Sequence, residues 1–150
     1  MRTNKIENIY NHLAKNIKNP KTELKYSNPY TFLVSVVLSA QATDKSVNAA
    51  TKELFKIIKK PEDMIDMGEK KLKSYIKKIG LYNSKAKNII NLSKILIEKY
   101  NSKIPSEFKL LTSLPGVGNK TASVYQNEIL NLPKIAVDTH VFRVSRRLGI

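Results

Sequence analysis

The sequence predicts an all-α protein. Apolar residues recur at helical spacing through most of the chain, and glycine or proline falls where those runs stop. No segment shows the sustained period-two alternation of a strand. Hydrophobic residues make up 41% of the 150, enough for a packed core of ordinary domain size.

Taken in order, Ile6, Ile9, Tyr10, Leu13 and Ile17 share one helical face ahead of Pro20, which predicts a short amphipathic first helix. Asn28-Pro29 then fits a cap followed by proline at the first helical position. The segment it opens, YTFLVSVVL, is apolar almost all round, as expected of a helix central in the core. After the small polar stretch SAQATD, Val47, Ala50, Leu54, Phe55 and Ile58 lie on one face of a third helix, with Asp44 as its expected cap. Pro61 opens a short helix to Met67 that Gly68 ends, and KKLKSYIKKIG follows with Gly80 as its stop. In YNSKAKNIINLSKILIEKY the residues Ile89, Leu92, Leu96 and Ile97 are at helical spacing. Ser106 is the expected cap of a short helix through Leu111, TASVYQNEIL continues as a helix, and VDTHVFRVSRRL closes the chain with Asp138 or Thr139 as cap.

The formal net charge is +15, from 27 Lys+Arg against 12 Asp+Glu. A surplus that large points to a polyanionic partner, of which nucleic acid is the commonest. Cysteine is absent, which excludes disulfides, thiolate nucleophiles and thiolate-held zinc or iron–sulfur sites within these residues. The start has no signal-peptide core, and no run reaches the roughly 18 apolar residues of a membrane span. The expectation is a soluble intracellular chain with no membrane association.

The stretch LPGVGNKTASVYQNEIL breaks a local rule, because Lys120 sits just inside a helix whose positive end disfavours an ammonium. Helix, tight glycine turn and helix together suit phosphate. Gly116 can take the positive φ of a sharp turn, and Gly118 has no Cβ to block a close DNA backbone. Past the turn, the N–H groups of Asn119 to Thr121 face an anion with the helix dipole in support. On these residues alone an ordinary helical connection stays open. Elsewhere, Lys85 and Lys87 fit either phosphate contact or a solvated helix face, Arg143, Arg146 and Arg147 form a basic stripe, Tyr82 fits a core or rim position, and His12 fits the surface.

LPGVGNKTA followed by IAVDTHVFRV, with VLSAQATDKSVN upstream and IGLYNSKAKNII between, resembles bacterial endonuclease III over nearly the whole length in one unbroken order. That family is the bifunctional DNA glycosylase and apurinic/apyrimidinic lyase of the helix-hairpin-helix superfamily. The resemblance implies a helix-hairpin-helix glycosylase fold, with a helical domain over 22–132 carrying the hairpin and a partial second domain from 1–21 and 133–150. It implies Lys120 as nucleophile and Asp138 as its acidic partner. It places Gln41 in the stack where the damaged nucleotide leaves. The hairpin residues Leu114, Pro115, Gly116, Val117, Gly118, Asn119 and Thr121 are expected DNA contacts, and His140 is expected either to contact a phosphate or to hold the loop. Where Asn119 stands the family hairpin often has arginine, so one phosphate contact is expected to be weaker here.

The implied activity is base excision repair: removal of oxidised pyrimidines, then strand cleavage by β-elimination through a lysine imine. The implied partner is double-stranded DNA with damaged bases or abasic sites, bound by a monomer in the bacterial cytoplasm at the nucleoid. Relatives place a 4Fe–4S cluster on four cysteines near the C-terminus. None is present here, so no cofactor is expected in this chain, and the resemblance is to a C-terminally truncated member with an incomplete second domain. Two other classes remain: a non-catalytic helix-hairpin-helix DNA-binding module, and an inactive truncated relic. Adenine-specific relatives lack the hairpin lysine, so Lys120 favours the lyase branch.

A lysine nucleophile must be neutral. The helix N-terminus contributes about 0.3–1 kcal/mol, less than the 1.36 kcal/mol of one pKa unit. Burial against flipped-out DNA or neighbouring cations must therefore supply the larger part. A carboxylate pushes the other way, so Asp138 reads as a proton relay and a stabiliser of the developing sugar cation.

Overall fold

A computed structural model describes residues 2–150, which are helical with no strand among them. They divide into two compact units, Glu23–Ala136, and Met1–Thr22 with Val137–Ile150. The division falls one residue and four residues later than the limits the resemblance implies.

The larger unit contains α2 (Pro29–Ser39), α3 (Asp44–Ile57), α4 (Pro61–Met67), α5 (Glu69–Ile76), α6 (Tyr82–Tyr100), α7 (Phe108–Thr112) and α8 (Asn119–Glu128). Its centre is α2, which packs against α3, α6 and α8. Asn28 starts that helix with a reciprocal cap. Its side chain accepts from the Thr31 N–H at 2.9 Å, and the Thr31 hydroxyl accepts from the Asn28 N–H at 3.0 Å. Pro29 has no N–H to lose at the first helical position. Every residue from Tyr30 to Leu38 is buried, and each large apolar side chain among them stabilises the fold by about 1.5–3 kcal/mol. Inside, the Tyr30 hydroxyl and Ser93 Oγ on α6 share a 2.7 Å hydrogen bond, which satisfies two polar groups that water cannot reach.

Several helix ends differ from expectation. Thr43, not Asp44, caps α3, accepting from the Ser46 N–H at 3.1 Å; Asp44 is the first helical residue, where its carboxylate still complements the dipole. Gly68 ends α4 at φ 82, as expected. Gly80 does not stop α5, which ends at Ile76; the left-handed residue is Leu81, at φ 60, and α6 begins after it. Ser106 caps nothing, because α7 begins after Glu107 and the Ser106 carbonyl instead accepts from Gln126 Nε2 at 3.0 Å. Each miss lies within a few residues of a correctly placed helix, where the choice depends on backbone angles and not on the apolar pattern.

The smaller unit holds α1 (Arg2–Asn16) and α9 (Thr139–Leu148). Asp138 caps α9 with Oδ1 accepting from the Val141 N–H at 2.8 Å, and Gly149 ends it at φ 70. No residue of α9 is buried, and Phe142 is 57% exposed beneath the Arg146 guanidinium, 5.8 Å from its ring centre.

Candidate functional site

Leu114 and Val117 anchor the glycine turn by burying their side chains, while Gly116, Gly118, Asn119 and Lys120 face solvent. The Val117 N–H donates to the Leu114 carbonyl at 3.1 Å, which closes the turn. Gly116 has φ 77, and a Cβ there would lie 3.0 Å from Asn88 Cβ on α6 and 3.3 Å from Val37 Cγ1 on α2. Two requirements coincide at this position, left-handed backbone and contact with two helices of the core. Gly118 is different. Its backbone is extended, at φ −89 and ψ −175, and a Cβ would meet nothing within 4 Å. The protein itself therefore leaves open space beside Gly118.

Gly118 precedes α8 and offers no capping side chain. The first intrahelical donor is the Ala122 N–H, 3.0 Å from the Gly118 carbonyl. Ala122 and Tyr125 bury the opposite face of α8, so the helix is fixed while its first turn is presented to solvent. Burial pushes the Tyr125 phenol up to about 12, so it stays neutral in the core. Such an arrangement has the chemistry to hold an anion: a helix start, a small residue beside it, and the exposed Lys120 one residue into the helix. Pro115 and Thr121 flank it half-buried.

Gln41 follows the end of α2 with φ 54 and is exposed, in a turn closed by the Ala42 N–H to the Ser39 carbonyl at 3.1 Å. His140 is exposed, with Nδ1 3.3 Å from Arg143 Nη2. Lys87 is exposed and Tyr82 half-buried against the core. Lys85 is neither a phosphate contact nor part of a solvated face. Its side chain is buried, and Nζ donates to the Leu38 carbonyl at 3.0 Å and the Ala40 carbonyl at 2.5 Å. The structure thus gathers residues 114–121 into one turn and ties the Gln41 loop to α6. Lys120 belongs to the larger unit and Asp138 to the smaller.

The sequence reading missed the burial of Lys85 and the backbone of Leu81. Lys85 lies on the same helical stripe as Ile89, Leu92 and Leu96, a spacing that signals burial whatever the charge. Leu81 is 61% exposed on left-handed backbone, a conformation costly for a side chain of its kind. Its signal is a leucine where a helix start normally takes Ser, Thr, Asp or Asn.

Among the described residues no three His, Cys, Asp or Glu side chains are grouped to hold a metal ion. Iron–sulfur clusters are held mainly by cysteine thiolates, so a sequence without cysteine does not fit one. No helix among the described residues is long and apolar enough to cross a membrane.

An all-helical core presenting a glycine-turned helix start defines a helix-hairpin-helix protein. The chain belongs to the HhH-GPD superfamily of base excision DNA repair proteins, whose family model matches residues 34–150. It is 57% identical to Endonuclease III of Rickettsia conorii over 145 residues, 97% of this chain and 69% of that protein. With Endonuclease III of Escherichia coli the identity is 50% over 139 residues, 93% of this chain and 66% of that protein. Among solved structures it matches a non-covalent Endonuclease III–DNA complex with TM-score 0.93 at 45% identity, covering 97% of this chain and 68% of that one. It matches a trapped covalent Endonuclease III–DNA intermediate with TM-score 0.91 at 46% identity, covering 97% of this chain and 69% of that one. The chain therefore spans about two thirds of the length of these relatives.

Proposed function

We propose that this protein is a DNA glycosylase and abasic-site lyase of base excision repair, acting on oxidised pyrimidines in duplex DNA. The observation that carries the reading is Lys120: an exposed lysine on the first turn of α8, beside the open approach at Gly118. A phosphate held by the α8 N-terminus would set the adjoining sugar within reach of that amine. Membership of a base excision repair family and likeness to an Endonuclease III trapped covalently on DNA support the same chemistry.

In the proposed reaction the neutral Lys120 amine attacks C1′ of the damaged nucleotide, and the bond to the base breaks as the base departs with a proton. Loss of the amine proton and opening of the sugar ring give an imine between Nζ and C1′. The imine acidifies the C2′ hydrogen; its removal expels the 3′ phosphate and cleaves the strand. Water then releases the enzyme. Asp138 is assigned proton transfer and stabilisation of the sugar cation, a role compatible with its cap on α9. The hairpin residues Leu114 to Thr121 and His140 are assigned to the DNA backbone, and Gln41 to the gap left by the extruded nucleotide. The corresponding place of work is the bacterial cytoplasm, at the nucleoid.

Borohydride reduction on a duplex with an abasic site tests this directly, since only an amine at C1′ leaves a reducible imine. The wild-type chain is expected to give a stable covalent adduct, and Lys120→Ala none while still binding duplex. An undiminished adduct from Lys120→Ala would remove Lys120 from its role. A wild-type chain that binds DNA without trapping would reduce the protein to a binding module.

A further inference from the structure

Lys85 is 6% exposed, and a buried ammonium is costly unless its donors are matched. Its ammonium donates to backbone, at the Leu38 and Ala40 carbonyls, where α2 ends. The last turn of α2 has no basic residue of its own to meet the negative end of the dipole. Lys85 supplies that charge from α6. Desolvation pushes its pKa down from the ordinary lysine value, while the two carbonyls favour the charged form.

The residue after Ala40 is Gln41, at φ 54. The Lys85 backbone N–H, for its part, donates to the Leu81 carbonyl at 3.0 Å, and Leu81 has φ 60. That bond is the ordinary i to i−4 contact of the first turn of α6; what is particular to the lysine is its ammonium, which reaches the carbonyl next to the strained, exposed Gln41. Left-handed backbone costs a non-glycine residue about 1–2 kcal/mol and persists only where its surroundings enforce it. An apolar side chain at position 85 would fill the stripe with Ile89 and Leu92 but leave both carbonyls unmatched.

We propose that Lys85 is a positioning residue for lesion recognition: its buried ammonium holds the Gln41 turn in a preformed geometry, in fixed register with Leu81. The proposal rests on the DNA-repair reading above and gives a reason for the lysine that packing alone does not.

The test measures discrimination, the ratio of affinities for a duplex carrying a tetrahydrofuran abasic analogue and for the same duplex intact, by fluorescence anisotropy at fixed salt. Lys85→Met keeps the length of the side chain and removes its donors. It is expected to lower discrimination about tenfold, or 1.4 kcal/mol, with intact-duplex affinity unchanged. Because Lys85 acts through Gln41, the double variant Lys85→Met/Gln41→Ala should lose no more than Gln41→Ala alone. Unchanged discrimination in a folded Lys85→Met, or losses that add in the double variant, would overturn the proposal. Should Lys85→Met not fold, amide relaxation of the free wild-type protein decides: an order parameter near the rigid-backbone value of about 0.85 at Gln41 supports a preformed turn, and one below about 0.6 overturns it. A wild-type protein with no preference for the abasic analogue would instead overturn the functional reading beneath.

Discussion

The two hairpin glycines make opposite predictions. Alanine at Gly116 must adopt φ 77 and place its Cβ 3.0 Å from Asn88 Cβ and 3.3 Å from Val37 Cγ1. The left-handed conformation costs about 1–2 kcal/mol, and forcing a methyl group into a packed contact about 1–3 kcal/mol more. Reduced freedom of the unfolded chain returns about 0.4–1 kcal/mol. The net destabilisation is about 1–4.6 kcal/mol, a large share of the roughly 5–15 kcal/mol of an ordinary domain. Alanine at Gly118 meets nothing within 4 Å and keeps an extended backbone open to any residue. Its stability should hold or rise by about 0.4–1 kcal/mol. Its methyl group would nevertheless stand where a phosphate must approach the α8 N-terminus, and losing one charge-assisted hydrogen bond of about 1.5–3 kcal/mol weakens binding roughly tenfold or more. Urea unfolding followed by circular dichroism reads the first effect, and anisotropy on a labelled duplex reads the second. Equal stability in Gly116→Ala, or equal duplex affinity in Gly118→Ala, would refute the division of labour between them.

Two further outcomes follow from individual contacts. Asp138→Asn should keep the α9 cap, since asparagine caps about as well as aspartate, yet slow excision by roughly 10²-fold; single-turnover rates equal to wild type would leave Asp138 a cap and nothing more. The Ser102 hydroxyl donates to Glu62 and is the foremost cause holding that carboxyl below its ordinary value of 4.5. A depressed carboxyl makes the unfolded state bind more protons, so the stabilisation is complete above 4.5 and disappears as pH falls through the folded value. Ser102→Ala should therefore melt below wild type at about pH 7 and approach it in acid; a difference in Tm that does not shrink on acidification would contradict the assignment.

What could be read from the chain was what local chemistry decides. Asn28-Pro29 opened α2, Gly68 closed α4 and Asp138 capped α9, each through contacts within four residues, and Gly116 took its positive φ in a turn closed by the Val117 N–H on the Leu114 carbonyl. The cap of α3 was missed because two neighbouring residues are chemically equivalent. Thr43 and Asp44 both accept hydrogen bonds, and only the backbone angle at Thr43 makes it the cap. Lys85 failed for another reason: its partners lie 47 and 45 residues away, on carbonyls invisible to any side-chain pattern. The tight glycine turn leading into a helix start was legible in its residues, but the roles proposed for Lys120 and Asp138 came from the resemblance. One lies on α8 and the other ahead of α9, and no spacing in the sequence links them.

The division into units also has a history written into it. Glu23–Ala136 is one continuous stretch, whereas the smaller unit is assembled from segments on either side of it. A continuous stretch of neighbouring helices meets its partners early, because short loops cost little entropy to close. The flanking segments cannot find one another until everything between them has been made and compacted. During synthesis α1 emerges before the larger unit and α9 after it, so the association of these two flanking segments waits for everything between them.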